Sequence, residues 1–236
     1  MTSPVLALRE LEVRIDERTI LRNLSLELRA GEGLALLGAS GSGKSTLLKY
    51  LSGEHTGSAT VSAAPRRISY SAQTPLLYPW MSVLENLMLG RPPSDLAAAQ
   101  ELLQRVGLAH AARLRPTQLS GGMRARACLA RSFMPRQELV LLDEPFASLD
   151  PVTAARLRTL TRELLALRTP PPALLLVSHD LDEALALGDQ IKVLAPSGDR
   201  WIGEWHNPRP EAGSPEYQRL REELFAALSV EHPFLS

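Results

Sequence analysis

The sequence predicts an α/β fold: a core built on a parallel sheet, an N-terminal antiparallel β subdomain and an inserted α-helical subdomain. Three observations lead there. Residues 139–142 and 173–177 are continuous apolar runs, Leu-Val-Leu-Leu and Ala-Leu-Leu-Leu-Val, the pattern of parallel strands buried on both faces. Residues 5–28 instead largely alternate apolar with polar side chains, the period of antiparallel strands with one face in solvent. From Thr74 to Pro135 the pattern shifts to helix. The core then takes residues 1–73 and 136–207, the helical subdomain 74–135, and a helical tail 208–236.

In chain order, residues 5–8 and 11–15 read as strand. A turn at Asp16-Glu17-Arg18 leads to further strand at 20–21 and 24–28. Ala30-Gly31-Glu32-Gly33 turns the chain into the apolar run 33–37, and residues 46–51 follow at helical spacing. Residues 53–64 are small and polar apart from Val61 and read as turns and short strands. Residues 67–73 read as a strand ending on an exposed Gln73. Ser82 is placed to cap a helix over 83–89, with Glu85 set for a capping box, and Gly90 and Pro92-Pro93 stop it. Ser94 is the expected cap of a helix from 96 to 106 ending at Gly107, and Ser120 of one from 121 to 133. Asp150 caps a helix with Pro151 at its first position, lined on one face by Leu157, Leu160, Leu164 and Leu165. Pro170-Pro171-Pro172 breaks it before the strand that runs into Ser178-His179. Residues 191–194 and 200–205, joined by Ser197-Gly198-Asp199, predict a hairpin. A last amphipathic helix over 215–228 puts Tyr217, Leu220, Leu224, Phe225 and Leu228 on one side and is expected to dock on its own chain.

Composition narrows the function. The 236 residues carry 26 basic and 26 acidic side chains, so net charge is zero and there is no nucleic-acid footprint. The single cysteine, Cys128, excludes a disulfide framework and a cysteine-based zinc site, and reads as a small core residue. His55, His110, His206 and His232 show no ligand spacing. Met1-Thr2-Ser3-Pro4 lacks the features of a signal peptide, and no apolar run approaches the ~20 residues that span a bilayer. The expectation is a soluble protein that reaches a membrane only through a partner.

Gly38-Ala39-Ser40-Gly41-Ser42-Gly43-Lys44-Ser45 fits G-x-x-x-x-G-K-[ST] in its proper setting, between an apolar strand and the helix opened by Thr46. Such a loop folds tightly and points successive N–H groups at phosphate oxygens, and the helix start adds its positive end. Lys44 is then placed for the β- and γ-phosphates and the Ser45 hydroxyl for Mg²⁺. Asp143-Glu144 ends the apolar run 139–142. Asp143 suits Mg²⁺ held through water, and Glu144, pointing differently, can act on a water at the γ-phosphate. Phosphoryl transfer depends on positioning and charge neutralisation, so it needs such groups to converge from several strand ends.

Leu119-Ser120-Gly121-Gly122-Met123 resembles the LSGGQ signature of ABC transporter ATPases, with Met where Gln is commonest. The resemblance extends to about Trp205. Gln73 matches the Q-loop, Ser148-Leu149-Asp150 the D-loop, and His179 in Ser178-His179-Asp180 the H-loop. It implies a RecA-like P-loop NTPase core, with ATP and Mg²⁺ as cofactors, and a head-to-tail homodimer. Each ATP would lie between the P-loop of one copy and Ser120, Gly121 and Gly122 of the other. Glu144 would polarise the attacking water, His179 contact the γ-phosphate, Gln73 sense phosphate and Mg²⁺, and Asp150 report across the interface. Family members usually place an aromatic residue where this chain has Ile15, to stack on adenine. Isoleucine offers apolar contact without a π-face, which predicts weaker or less selective adenine binding.

Residues 75–87, Pro-Leu-Leu-Tyr-Pro-Trp-Met-Ser-Val-Leu-Glu-Asn-Leu, are similar to the matching stretch in ATPases of nitrate, taurine and alkanesulfonate importers. Those proteins often carry Pro-Trp there and commonly LSGGM. The resemblance implies the ATP-hydrolysing subunit of an importer of a small anionic solute, peripheral on the cytoplasmic side of the inner membrane. Transmembrane permease subunits would be contacted near Tyr78-Pro79-Trp80-Met81, and a periplasmic solute-binding protein indirectly. The alternative within the family is a lipid-trafficking or thiamine-precursor system. A DNA-repair or chromosome-structure ATPase would need a long coiled coil between the P-loop and the signature, and no heptads run from 74 to 119. A non-hydrolysing regulatory module is opposed by Lys44, Asp143, Glu144 and His179.

Overall fold

The computed structural model describes residues 3–74, 76–147 and 149–229. Met1, Thr2, Pro75, Ser148 and His232, each singled out in the sequence, lie outside the described residues.

Alternation near the N-terminus produces two long strands, β1 (Pro4–Ile15) and β2 (Arg18–Arg29), paired antiparallel. Each runs through a point where the sequence period breaks. Glu10 (φ 54°) and Asn23 (φ 53°) take left-handed backbone, and the pairing register slips between Leu8 and Leu11. Such irregularities let the apolar side chains stay on one face past the break. The strand β4 (Gly57–Ala63) adds to the other edge of β1, giving the order β2-β1-β4.

The second sheet has six strands: β3 (Gly33–Gly38), β5 (Ile68–Ser71), β6 (Leu139–Asp143), β7 (Ala173–Val177), β8 (Gln190–Leu194) and β9 (Trp201–His206). Their order is β5-β6-β7-β3-β8-β9, parallel throughout except for the β8–β9 hairpin. The parallel strands are sorted by period two. Leu34, Leu36, Leu139, Leu141, Leu175 and Val177 pack with the antiparallel sheet and helix α1 (Lys44–Leu51). Val140, Leu142, Leu174 and Leu176 face the opposite way, into a core shared with Val83, Leu103 and Phe133 of the helical segment. Each such leucine is worth about 1.5–3 kcal/mol over exposure.

The helical segment contains α2 (Val83–Met88), α3 (Leu96–Arg105) and α4 (Gly121–Ser132). The capping box of α2 forms as predicted: Glu85 N–H donates to Ser82 Oγ (3.2 Å) and Ser82 N–H to Glu85 Oε2 (2.6 Å). The expected Ser94 cap does not form. Ser94 sits inside a 3₁₀ turn (Pro93–Asp95), and Asp95, next to the helix, turns its carboxylate to Arg136 instead. Helix α5 (Pro151–Ala166) follows its Asp150 cap, whose Oδ1 accepts from Thr153 N–H at 3.0 Å. A short helix the sequence reading did not anticipate, α6 (Leu181–Leu187), follows β7. The last helix, α7 (Pro215–Ser229), docks on α6: Leu220 and Leu224 are buried and Tyr217 Oη donates to Asp182 Oδ1 at 2.7 Å. Phe225 departs from the expected face and is 58 % exposed, because one residue beyond Leu224 is about 100° further round the helix. Among the described residues no helix is long and apolar enough to cross a membrane.

Candidate nucleotide site

Parallel strands deliver their C-terminal ends to one edge of the sheet, and here β3, β5, β6 and β7 each end in a polar segment. At the end of β3, the loop 38–43 packs tightly against β2. Gly43 has φ 101°, and a Cβ there would lie 2.6 Å from Leu21 Cδ2, so both conformation and space demand glycine. The loop hands over to α1, where Lys44 Nζ donates to the carbonyls of Gly38 (2.8 Å) and Ala39 (2.7 Å). Lys44 is buried, which lowers its pKa, while Glu144 and Asp143 pull it up. The ammonium thus stands beside the loop amides on borrowed carbonyl partners. Thr46, in the first turn of α1, is half-buried.

Asp143 ends β6 at 3 % exposure. Its Oδ1 accepts from Ser45 Oγ (3.1 Å) and its Oδ2 from Tyr70 Oη (3.3 Å). Burial raises the Asp143 pKa, and the bonds from Ser45 and Tyr70 counter that rise. Ser45 and Asp143 supply one hydroxyl and one carboxylate, both hard oxygen donors. Among the described residues no cluster of three or more His, Cys, Asp or Glu could cage a metal. That sparse donor set fits Mg²⁺, which keeps waters and takes phosphate oxygens for its other ligands.

Glu144 follows in left-handed backbone, φ 46°, with its N–H donating to Val177 O at 2.9 Å. A non-glycine residue held there stores roughly 1–3 kcal/mol, a cost that clusters at functional sites. Gln73, two residues past β5, donates from Nε2 to Glu144 Oε2 at 2.8 Å. His179, two residues past β7, places Nδ1 3.4 Å from the same oxygen. The turn carrying His179 is braced from below. Ser178 Oγ donates to buried Glu183 Oε2 (2.6 Å) and accepts from Asp180 N–H (2.9 Å). Burial raises the Glu183 pKa, with the Ser178 bond opposing.

The signature residues lie elsewhere on the surface. Ser120 Oγ accepts from Met123 N–H (3.2 Å) at the start of α4. A Cβ on Gly121 or Gly122 would meet nothing within 4 Å. Ser120, Gly122 and Asp150 line one concavity of about 620 Å³ together with Arg126 and Arg156. Ile15 is half-buried at the end of β1, opposite Arg18, and the apolar side chains from this hairpin nearest Gly43 are Ile20 and Leu21. A second concavity, about 820 Å³, runs from Ser45, Tyr70, Gln73 and Asp143 to Leu76, Tyr78 and Pro79. Beyond it Tyr78 and Trp80 pair at 5.3 Å between ring centroids, and Trp80 is 67 % exposed. Buried Asn86 pins this loop, accepting from Tyr78 N–H (2.7 Å) and donating to the carbonyls of Tyr78 and Met81.

So one chain brings together Lys44, Ser45, Asp143, Glu144, Gln73 and His179, and sets Ser120, Gly122 and Asp150 around a different concavity. Sequence reasoning missed Tyr70 and Glu183. Tyr70 carries a faint signal, an aromatic hydroxyl three residues before Gln73 on the strand beside Asp143. Glu183 carries none without the fold.

Comparisons with known proteins bear on the family and the fold. The ABC transporter family profile matches residues 21–147. Aliphatic sulfonates import ATP-binding proteins from Paracoccus denitrificans, Granulibacter bethesdensis and Streptomyces avermitilis are similar to this chain. They are 40 %, 43 % and 42 % identical to it over 97 %, 97 % and 98 % of its length and 96 %, 96 % and 93 % of theirs. Among solved structures, an ATP-binding subunit of an ABC transporter superposes with a TM-score of 0.76 at 23 % identity, covering 95 % of this chain and 99 % of that one. An ABC transporter's ATP-binding cassette in its ADP conformation gives 0.73 at 22 %, covering 93 % and 98 %. The likeness of these structures is one of fold, whereas the family match and the sequence relatives reach further: this chain belongs to the ABC transporter family, as one of its ATPases.

Proposed function

We propose that this chain hydrolyses ATP to energise an importer of aliphatic sulfonates or similarly small anionic solutes. The solute class follows the names of its relatives, and the ATPase roles rest on one observation above all. Glu144 Oε2 is held jointly by Gln73 and His179, from three different strand ends. In the reaction, Glu144 accepts a hydrogen bond from the water that attacks the γ-phosphorus, and ADP departs as the β–γ bridging bond breaks. Gln73 and His179 exchange Glu144 for the γ-phosphate oxygens, which ties release of the carboxylate to arrival of ATP. Lys44 likewise exchanges the Gly38 and Ala39 carbonyls for β- and γ-oxygens, at little reorganisation because its stem is already buried. Ser45 and Asp143 would hold Mg²⁺, which when bound neutralises charge on the β- and γ-phosphates.

Two copies pair head to tail, so that Ser120, Gly121 and Gly122 of the second copy close on the γ-phosphate and Asp150 lies at the interface. The division of labour follows the segments named above: core 1–73 and 136–207, helical subdomain 74–135, tail 208–236. The open Tyr78–Trp80 pair is the contact for transmembrane permease subunits, which engage a periplasmic solute-binding protein in turn. The ATPase then sits peripherally on the cytoplasmic face of the inner membrane. Glu144→Gln should lower phosphate release by roughly 10²-fold or more, the scale of general-base loss. Turnover at the wild-type rate in that variant would remove Glu144 from its role.

A further inference from the structure

The N-terminal ends of β5, β6 and β7 meet at the sheet edge opposite the nucleotide site, about 15 Å away at ~3.3 Å per strand residue. Arginines converge there from separate segments. Arg66 and Arg67 precede β5, Arg136 precedes β6, Arg168 lies between α5 and β7, and Arg91 follows α2. They line two adjoining concavities, about 580 and 430 Å³, that share Arg66, Arg67 and Arg136. The carboxylates in those walls are Asp95, whose Oδ2 has no hydrogen-bond donor among the described residues, and Glu138. Asp95 binds Arg136 (3.2 Å) and Arg91 (3.6 Å), and Glu138 accepts the Arg66 backbone N–H at 2.8 Å.

Part of this basic cluster has an ordinary explanation. Arg168 and Arg91 donate to the carbonyls of Phe133 (2.8 Å) and Pro135 (2.9 Å), where a helix end favours cations. Arg66 and Arg67 have no such duty. Both are exposed, and among the described residues neither side chain has an ion-pair partner within 4 Å. The crowding has a cost: burial lowers the Arg91 pKa, and the like charges of Arg136 and Arg168 add to that against the pull of Asp95. A dianion in the shared concavity would relieve it.

We propose that this arginine pocket binds a tetrahedral oxyanion, a sulfate- or phosphate-type group, for which the fork geometry of guanidinium is suited. The anion could come as a free inorganic ion or as part of a phosphate monoester, and the two are told apart by the probes. The full chain, its nucleotide site filled with ADP and Mg²⁺, is heated with sodium sulfate or with glycerol 3-phosphate, against sodium chloride at equal ionic strength. At ten times the dissociation constant, the unfolding midpoint of the wild type rises about 3–6 °C above the chloride control. A larger rise at lower concentration with the monoester identifies the esterified form, and the reverse identifies the free ion. Replacing both exposed residues, Arg66→Ala with Arg67→Ala, abolishes the excess rise without lowering the midpoint in chloride. The charge-keeping pair Arg66→Lys with Arg67→Lys, which guards against misfolding, weakens binding about 10-fold by losing the forks. Equal excess rises in wild type and both double variants, or none in the wild type, would overturn the proposal.

Discussion

Two regions that the family mechanism assigns to one ATP are built in opposite ways. At the strand ends, each polar side chain named for the chemistry already has a partner in its own chain: Lys44 on Gly38 and Ala39, Ser45 on Asp143, Gln73 on Glu144. At the signature, among the described residues, Ser120 Oγ bonds the start of its own helix, and Gly121 and Gly122 face open space. The first region is a closed network whose bonds can be exchanged for phosphate oxygens. The second presents a helix cap and two open glycines to solvent. One chain should therefore bind nucleotide by itself, and hydrolysis should need the second surface.

The largest effects should separate these regions. Lys44→Ala removes the ammonium from the closed network, so ATP affinity should fall at least ~10-fold and phosphate release become undetectable, since a charge-assisted phosphate contact is lost. Gly122→Asp places a carboxylate and bulk on the open surface. It should leave ATP affinity of the isolated chain within about 3-fold, measured by titration calorimetry, while hydrolysis drops by roughly 10². Comparable loss of affinity in both variants would erase the distinction.

An intermediate effect concerns a second open surface, at Tyr78 and Trp80. Trp80→Ala should leave the ATPase rate of the isolated chain within about 2-fold, because Trp80 is 67 % exposed. Copurification with a permease in mild detergent should be lost, as for an aromatic anchor at an interface. Retained assembly would assign Tyr78 and Trp80 a role within the chain. At the adenine end, Ile15→Phe should strengthen ATP binding by about 2–10-fold, the value of one aromatic stacking contact. No change in ATP affinity would place adenine away from the β1–β2 turn.

The smallest expected change tests the brace beneath His179. Glu183 has its folded pKa raised by burial, so its favourable contribution is fully present below the unfolded value of 4.5 and is lost as pH rises through the folded value. Above that value the fold must carry a buried charge. Glu183→Gln keeps an acceptor for Ser178 and removes that charge. The variant should unfold about 2–4 °C above wild type at pH 7, and the gap should close below pH 4.5. A lower midpoint at pH 7 would show that ionised Glu183 is preferred.

The convergence of Lys44, Ser45, Asp143 and Glu144 at the strand ends was legible in the sequence because each motif carries its own local context. A glycine loop between an apolar strand and a helix, or Asp143-Glu144 after four apolar residues, identifies both element and role at once. What escaped depended on packing. Helix α6 has only seven residues, too few to display a period, so Glu183 drew no reading, and only the fold shows it buried against Ser178. Tyr70 read as one more strand aromatic until β5 was set beside β6 in register, Tyr70 opposite Leu141, two residues before Asp143. Ser94 looked like a cap because the local sequence cannot foresee the 3₁₀ turn over Pro93–Asp95. The long β1 and β2 strands were split in prediction at the positions where Glu10 and Asn23 bulge.

The most direct test of the account is the mass of the chain in solution with ATP, measured by light scattering on the Glu144→Gln background, where hydrolysis cannot reopen the site. The chain should be a monomer without nucleotide and a dimer with ATP and Mg²⁺, reverting to monomer when Gly122→Asp is added. A chain that stays monomeric with ATP bound, or a dimer indifferent to Gly122→Asp, would contradict the claim that the open signature surface of one copy completes the closed network of another.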